Sequence, residues 1–344
     1  MMLGDLGADV IKVERPVGGD ETRGWGPPFD DRGESAYFLS INRNKLSVAA
    51  DLAESADRSL VAKLIAGADV VVDNFRPGSL DRAGLAPDRF LAERGELIWC
   101  TITGFGPESQ RPGYDFVVQA ERGWMAITGE TKGPPMKVGV ALADVLAGKD
   151  TVAAVLAALV GRARTGRGGR LFISLAHSAS AALVNVAQNA LVTGAEPRRW
   201  GNAHPNLVPY ELFEARDRAM VIAVGSDAQW LACARALGLE ALAADRSLAT
   251  NAGRLAARDR VAGAIAARLR EQDAATWCAA LDRAGVPCGL VKGVLESLRE
   301  ANASPLTGVA PGPMAVVRRP PPRLNEHGAE IRRWGWDAFQ ASPR

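Results

Sequence analysis

The sequence predicts an α/β protein built on parallel strands, and three observations lead there. The stretches ADVIKVE (8–14) and ADVVVDNF (68–75) are short Val- and Ile-rich runs bounded by glycine or turn residues. Short runs of this composition and bounding suit the buried strands of a parallel sheet. Between them, Ala53 to Ala66 carries helical spacing up to Gly67. Two further runs, LIWCTITGF (97–105) and RLFISLA (170–176), continue the alternation. Strands separated by helices imply a parallel sheet joined by right-handed crossovers.

The elements follow in order. Before the first strand, LGDLGA reads as the last turn of a helix with Gly7 as its left-handed cap, yet only six residues precede that glycine. So short a helix does not stand alone. The expectation is a βα unit that begins upstream, with one more strand and most of a helix. Further on, Thr151 to Arg164 predicts a helix closed by TGRGGR, where Gly166, Gly168 and Gly169 permit a sharp reversal into strand 170–176. Residues 177–194 predict another helix. Composition then shifts at EPRRWGNAHPNLVPYELF (196–213), a loop dense in Pro, Asn and His, followed by a strand MVIAVGS (220–226) and Ala-rich helices up to Gly285. The shift predicts a large domain over 1–195 and a small α/β domain over 200–300. A Pro- and Gly-rich stretch, 304–322, leads into a tail, 301–344, that returns to the large domain.

Composition narrows the function classes. Of 344 residues, 47% are hydrophobic and 23% charged, which supports an ordinary packed core. Lys plus Arg number 41 against 39 Asp plus Glu, and a net charge of +2 gives no field to steer the chain onto nucleic acid. The four cysteines lie far apart without a CxxC pair, suggesting neither a disulfide framework nor zinc and fitting a reducing cytoplasm. The most apolar segment, Thr151 to Val160, is shorter than the roughly 20 residues a spanning helix needs. The start MMLGDLGADVIKVERP has no signal-peptide pattern.

Few residues are left to carry chemistry. His177 sits at a helix start and reads as a cap or a core histidine. His327 lies in the polar tail and reads as surface. His204, in GNAHPN between Asn202 and Asn206, is either a loop residue or a functional one. There is no HExxH, no GxSxG elbow and no P-loop, and GFGPES (104–109) is followed by PESQRPG rather than a helix. Metal and serine chemistry therefore find no support. VGVALADVLAG (138–148) instead places a single carboxylate, Asp144, among small apolar side chains. It either caps the following helix or acts as a partly desolvated nucleophile that stays ionised, its ordinary pKa being about 3.9. Spacing alone leaves both readings open.

A pattern along the whole chain resembles the class III CoA-transferase family, which includes formyl-CoA transferase, carnitine CoA-transferase and the α-methylacyl-CoA racemases. The matching stretches are LGADVIKVERPVGGDETRGWGPP, YFLSINRNKLSVAADL, ADVVVDNFRPGSLDRAGL, TGFGPESQRPGYDFVVQAERGWMAITG, ALADVLAG, TGRGG, GVPCG and RLNEHG. Family members begin with a strand, an Ala-Gly-Pro turn and a helix for which this sequence shows no counterpart. The resemblance implies a Rossmann-like large domain, a smaller α/β domain, and a homodimer of two subunits threaded as linked rings. It implies CoA thioesters as substrates and no permanently bound cofactor. Asp144 matches the family nucleophile, which attacks an acyl-CoA and carries CoA as an aspartyl thioester, with backbone N–H groups stabilising the oxyanions.

Further residues carry over from the same resemblance. Arg15 and Arg82 match arginines at the nucleotide end of CoA, and Asn74, Phe75 and Arg76 lie on a loop where α/β folds bind ligands. Tyr114 and Asp115 stand in a GYD motif where the racemases have GHD. A tyrosine, of ordinary pKa about 10, is a poor base for the α-proton, so family-type racemisation is disfavoured. Tyr37 is grouped with the substrate contacts, and Asn42, Arg43 and Lys45 either join them or serve the turn. GNAHPNLVPYELF resembles the branch that moves CoA from succinyl-CoA to dicarboxylic acids, with Asn202 or His204 binding the distal carboxylate. An α-methylacyl-CoA isomerase and an inactive CoA-binding paralogue are the alternatives.

Overall fold

A computed structural model describes residues 1–301, 303–309 and 316–341; part of the Pro- and Gly-rich stretch, residues 310–315, lies outside them. The chain divides into two compact units. The first comprises Met1–Arg122, Gly139–Val184 and Leu298–Arg344, and the second Gly123–Val138 and Asn185–Ser297.

In the first unit all strand pairs are parallel. β1 (Ile11–Glu14) pairs with β2 (Leu46–Ala49), Ile11 opposite Leu46. β3 (Val70–Asp73), β4 (Ile98–Thr103) and β5 (Gly169–Ser174) form a second sheet in that order, with Val70 opposite Ile98 and Ile98 opposite Gly169. The helix Ser55–Gly67 packs against both sheets. Its Leu64 joins Leu46 and Val48 in one buried cluster, while Val61 and Ile65 join Leu97 and Trp99 in another. β2 escaped the sequence reading because all four of its residues are buried and no glycine or proline brackets them. Its outer edge is closed by the tail: the Asn325 side-chain oxygen accepts from the Ala49 N–H, and Nδ1 of His327 from the Ser47 N–H. His327 is thus half-buried on the sheet edge, not a free surface residue.

The loop after β1 is pinned by a buried ion cluster. Arg23 grips Glu14 with two bonds of 2.8 Å and donates a third, of 2.7 Å, to Glu34. Burial alone would raise the Glu14 pKa, but the Arg23 and Ser47 hydrogen bonds hold it below the ordinary glutamate value. A second buried pair, Arg43 with Asp5, ties the loop 42–44 to the first helical turn, Met2–Asp5.

The long helix Leu142–Thr165 starts nine residues before the expected Thr151 (151 minus 142). Gly148 costs a helix about 1 kcal/mol. The small stripe Ala143, Ala147, Thr151 and Val155, buried at four-residue spacing, offsets that cost. Gly166, at φ +70°, provides the left-handed cap. The expected helix 177–194 is instead two, Leu175–Ala181 and Val184–Thr193, parted where Val184 takes φ +37°. His177 is exposed in the first of these, and the capping side chain is Ser174.

The second unit carries an antiparallel sheet of β6 (Tyr210–Glu214), β7 (Ala219–Ala223) and β8 (Cys288–Leu290). Its core gathers Met220, Ile222, Trp230, Leu237, Ile265 and Leu281, each at most 0% exposed. Among the described residues no helix is long and apolar enough to cross a membrane.

Candidate functional site

Parallel strands place their carboxyl-terminal loops on one edge, where α/β sheets bind ligands. Three such loops carry expected residues: Arg15 after β1, Asn74 to Arg76 after β3, and Tyr114 with Asp115 beyond β4. The long helix leads through a tight turn into β5, so it runs back across the sheet for about 36 Å. Its first turn, with Asp144, therefore returns to that same edge.

Asp144 is not the helix cap. The N-cap position is Ala141, which makes no side-chain capping bond. Asp115 takes that role from outside the helix: its Oδ2 accepts from the backbone N–H of Ala143 at 2.7 Å and of Asp144 at 3.3 Å. Its Oδ1 accepts from Gln119 at 2.6 Å, one turn along the Asp115–Glu121 helix. Gln119 is fully buried and also donates to the Val140 carbonyl. Sequence reasoning overlooked it, although an Asp–Gln pair four residues apart is a recognisable helix signal.

The Asp144 side chain is thereby left to other work. It reaches the surface, but the surrounding structure strips water from the carboxyl and, with the negative charge of Asp115 adding to the effect, pushes its pKa up to about 6. Tyr37 shares this neighbourhood: burial first, then the charges of Asp144 and Asp115, raise its phenol above the ordinary value. The Tyr37 ring meets Trp25 edge-on at 4.9 Å. The first-turn N–H groups are all engaged, since Leu142 donates to Val140 and Val145 to Ala141. The backbone N–H groups of this turn are therefore not free to serve as oxyanion donors.

The Tyr114 loop is set by two glycines in van der Waals contact. A Cβ on Gly113 would sit 2.1 Å from the Cα of Gly104. Because both obstacles are backbone, no rotamer relieves the clash. Gly113→Ala is expected to cost roughly 1–3 kcal/mol and to displace Tyr114, which chemical denaturation and the accompanying change in activity will read. Tyr114 itself is 56% exposed.

Around Asn74 to Arg76 the organising residue is Asp73, also unforeseen. Its Oδ1 accepts from the Phe75 N–H, and its Oδ2 from Trp99 and Thr101. A cavity of about 170 Å³ lies alongside, lined by Asp73, Phe75, Arg76, Thr101 and Arg170 among others. Asp144 does not line it. Arg15 is exposed and donates to the Gly19 carbonyl, while Arg82 is exposed and donates to Ser79. Arg43 is buried and spent on Asp5 and the Thr307 carbonyl, and Asn42 bonds the Phe38 carbonyl and Lys45. These serve the turn. Asn202 and His204 belong to the second unit.

Comparisons with known proteins agree with one another. A family model described as CoA-transferase family III matches residues 1–332. The chain is 38% identical over 357 aligned positions to succinate–glutarate CoA-transferase of Agrobacterium fabrum, covering 96% of this chain and 89% of that protein. It is 37% identical over 353 positions to succinyl-CoA:glutarate CoA-transferase of Mus musculus, with 96% and 81% covered. The crystal structure of a CAIB/BAIF family protein from Brucella suis superposes with a TM-score of 0.83 at 40% identity, covering 96% of this chain and 93% of that one.

Proposed function

The chain belongs to CoA-transferase family III and is an enzyme that transfers CoA, and from that premise we propose that it moves CoA from an acyl-CoA donor such as succinyl-CoA to a dicarboxylic acid, with Asp144 as the acyl carrier. The observation that carries this reading is the division of labour between the two aspartates: Asp115 caps the helix, and Asp144 is held in its first turn with a carboxyl kept near neutral pKa. The similarity to transferases named for glutarate supports a dicarboxylate acceptor.

The steps balance without ATP. An Asp144 oxygen attacks the thioester carbonyl, the C–S bond breaks, and CoA leaves as thiolate with a mixed anhydride on Asp144. The thiolate then attacks the Asp144 carbonyl carbon and the first acid departs as carboxylate, leaving an aspartyl thioester. The incoming carboxylate reverses both steps. Arg15, Arg82 and the loop Asn74 to Arg76 hold the nucleotide end of CoA, with Phe75 and Arg76 on the cavity beside Asp73. Tyr37 and Tyr114 border the reacting end. A tyrosine in the GYD position is a poor α-proton base, so the racemase alternative is the weaker reading. The same reading includes a Rossmann-like first unit, a homodimer of interlocked rings and a cytoplasmic setting; the exposed Val145, Leu156 and Val160 on the long helix give a partner subunit apolar surface to cover.

Hydroxylamine added during turnover tests the carrier. Residue 144 should be recovered as a hydroxamate by peptide mass spectrometry, and product formation with residue 144 unmodified would sink the reading. Since only the carboxylate attacks, kcat/KM should fall about tenfold per pH unit below a pKa near 6. Asp115→Asn removes the neighbouring charge while keeping an acceptor oxygen, and should move that acid limb to lower pH.

A further inference from the structure

Two of the cysteines, separated in sequence, meet in the fold. Cys100 and Cys233 are sealed in the cores at 0% exposure, whereas Cys278 and Cys288 are only half-buried. Both of the latter lie within the second unit, at the edge of its apolar core. Cys278 is on the helix Ala274–Arg283, and Cys288 opens β8 ten positions later. Gly285, at φ +72°, provides the left-handed reversal that brings β8 back against that helix. The Sγ of Cys288 thereby comes to rest beside the end of the helix, 3.6 Å from the Cys278 carbonyl oxygen and 3.4 Å from Oδ1 of Asp282. The two thiols are within hydrogen-bonding reach of each other.

Their surroundings give the two sulfurs different parts. Burial raises the Cys288 thiol, and with Cys278 and Asp282 adding to the effect it is pushed up to about 12. Burial raises Cys278 as well, but there the hydrogen bond from Cys288 works in the opposite direction. Cys278 is thus the sulfur that more readily becomes a thiolate, with Cys288 placed as its resolving thiol.

We propose that Cys278 and Cys288 form a redox modification site, at which hydrogen peroxide converts the dithiol to a disulfide that ties β8 to the helix Ala274–Arg283. The Cys278 thiolate attacks one peroxide oxygen, the O–O bond breaks and hydroxide leaves, giving a sulfenic acid. The Cys288 sulfur then attacks the Cys278 sulfur, and its proton departs with the displaced hydroxyl as water. Two thiols and one peroxide yield one disulfide and two waters: the sulfurs are oxidised and the peroxide oxygens reduced. None of these groups takes part in the chemistry assigned to Asp144, so this site and the carrier mechanism stand or fall separately.

The test is to treat the full chain with hydrogen peroxide, remove the excess with catalase, alkylate with N-ethylmaleimide in urea and digest with trypsin without reductant. Cleavage after Arg270, Arg283 and Lys292 leaves the two cysteines in separate peptides, EQDAATWCAALDR (271–283) and AGVPCGLVK (284–292). These should be found as one linked species that dithiothreitol parts, with Cys100 and Cys233 recovered as maleimide adducts. In Cys288→Ser, peroxide should leave Cys278 as a sulfenic acid captured by dimedone, and in Cys278→Ser the capture at Cys288 should be at least tenfold lower. Recovery of both peptides unlinked from the oxidised wild-type protein, linkage of either cysteine to Cys100 or Cys233, or a linked species found only in covalent dimers would each overturn the proposal.

Discussion

Asp144→Ala is expected to lower kcat for CoA transfer by roughly 10³-fold or more, the scale seen when a covalent nucleophile is removed, while leaving the fold intact. The two halves of that expectation discriminate between the readings of this carboxylate. A capping aspartate replaced by a non-capping residue costs about 1 kcal/mol, but here the cap bonds come from Asp115. A carboxyl whose pKa is raised on folding opposes the folded state above its unfolded pKa. Removing the Asp144 charge should thus leave thermal stability unchanged or slightly improved at pH 7. Steady-state transfer assays and thermal melts on one preparation check both. Undiminished transfer would end the carrier mechanism, and a clear loss of stability would return Asp144 to a capping role.

The largest effect on stability should come from Arg23→Met. Arg23 and Glu14 have side chains 8% and 1% exposed, and Arg23 also holds Glu34. Removing one member of a buried ion cluster leaves uncompensated charge and costs roughly 3–5 kcal/mol. The pH dependence gives a signature. With Arg23 present, the Glu14 pKa is depressed, so its contribution is present above the unfolded value of 4.5 and is lost as pH falls. Without Arg23, burial raises the folded pKa, and stability is instead lost as pH rises above the unfolded value of 4.5. Urea unfolding should therefore show a deficit that is small at acid pH and grows toward neutrality. A deficit independent of pH would mean that Arg23 contributes packing, through its stacking on Phe38, rather than charge.

Strand identity in the first unit was legible because Val- and Ile-rich runs between glycines have few alternatives; β1, β3 and β4 fall inside the runs at 8–14, 68–75 and 97–105, and β5 starts one residue before the run at 170–176. Four-residue β2, buried throughout, offered no such contrast. The expected start of the long helix, Thr151, lies past Gly148, a weak helix former; burial of the small residues Ala143 and Ala147 on one face carries the helix through that glycine.

For the candidate site, local sequence determined which residue types are available: a lone carboxylate in an apolar segment, a GYD turn, and a loop of Asn, His and Pro. Which of two aspartates caps and which stays available was decided only in three dimensions, because the bond from Asp115 to Ala143 spans 28 positions. The same holds for the Gly104–Gly113 contact and for Asp73 under the Phe75 loop. Periodicity reports what a residue does within its own turn or strand; a hydrogen bond or a charge felt across the fold depends on distances that only chain packing sets.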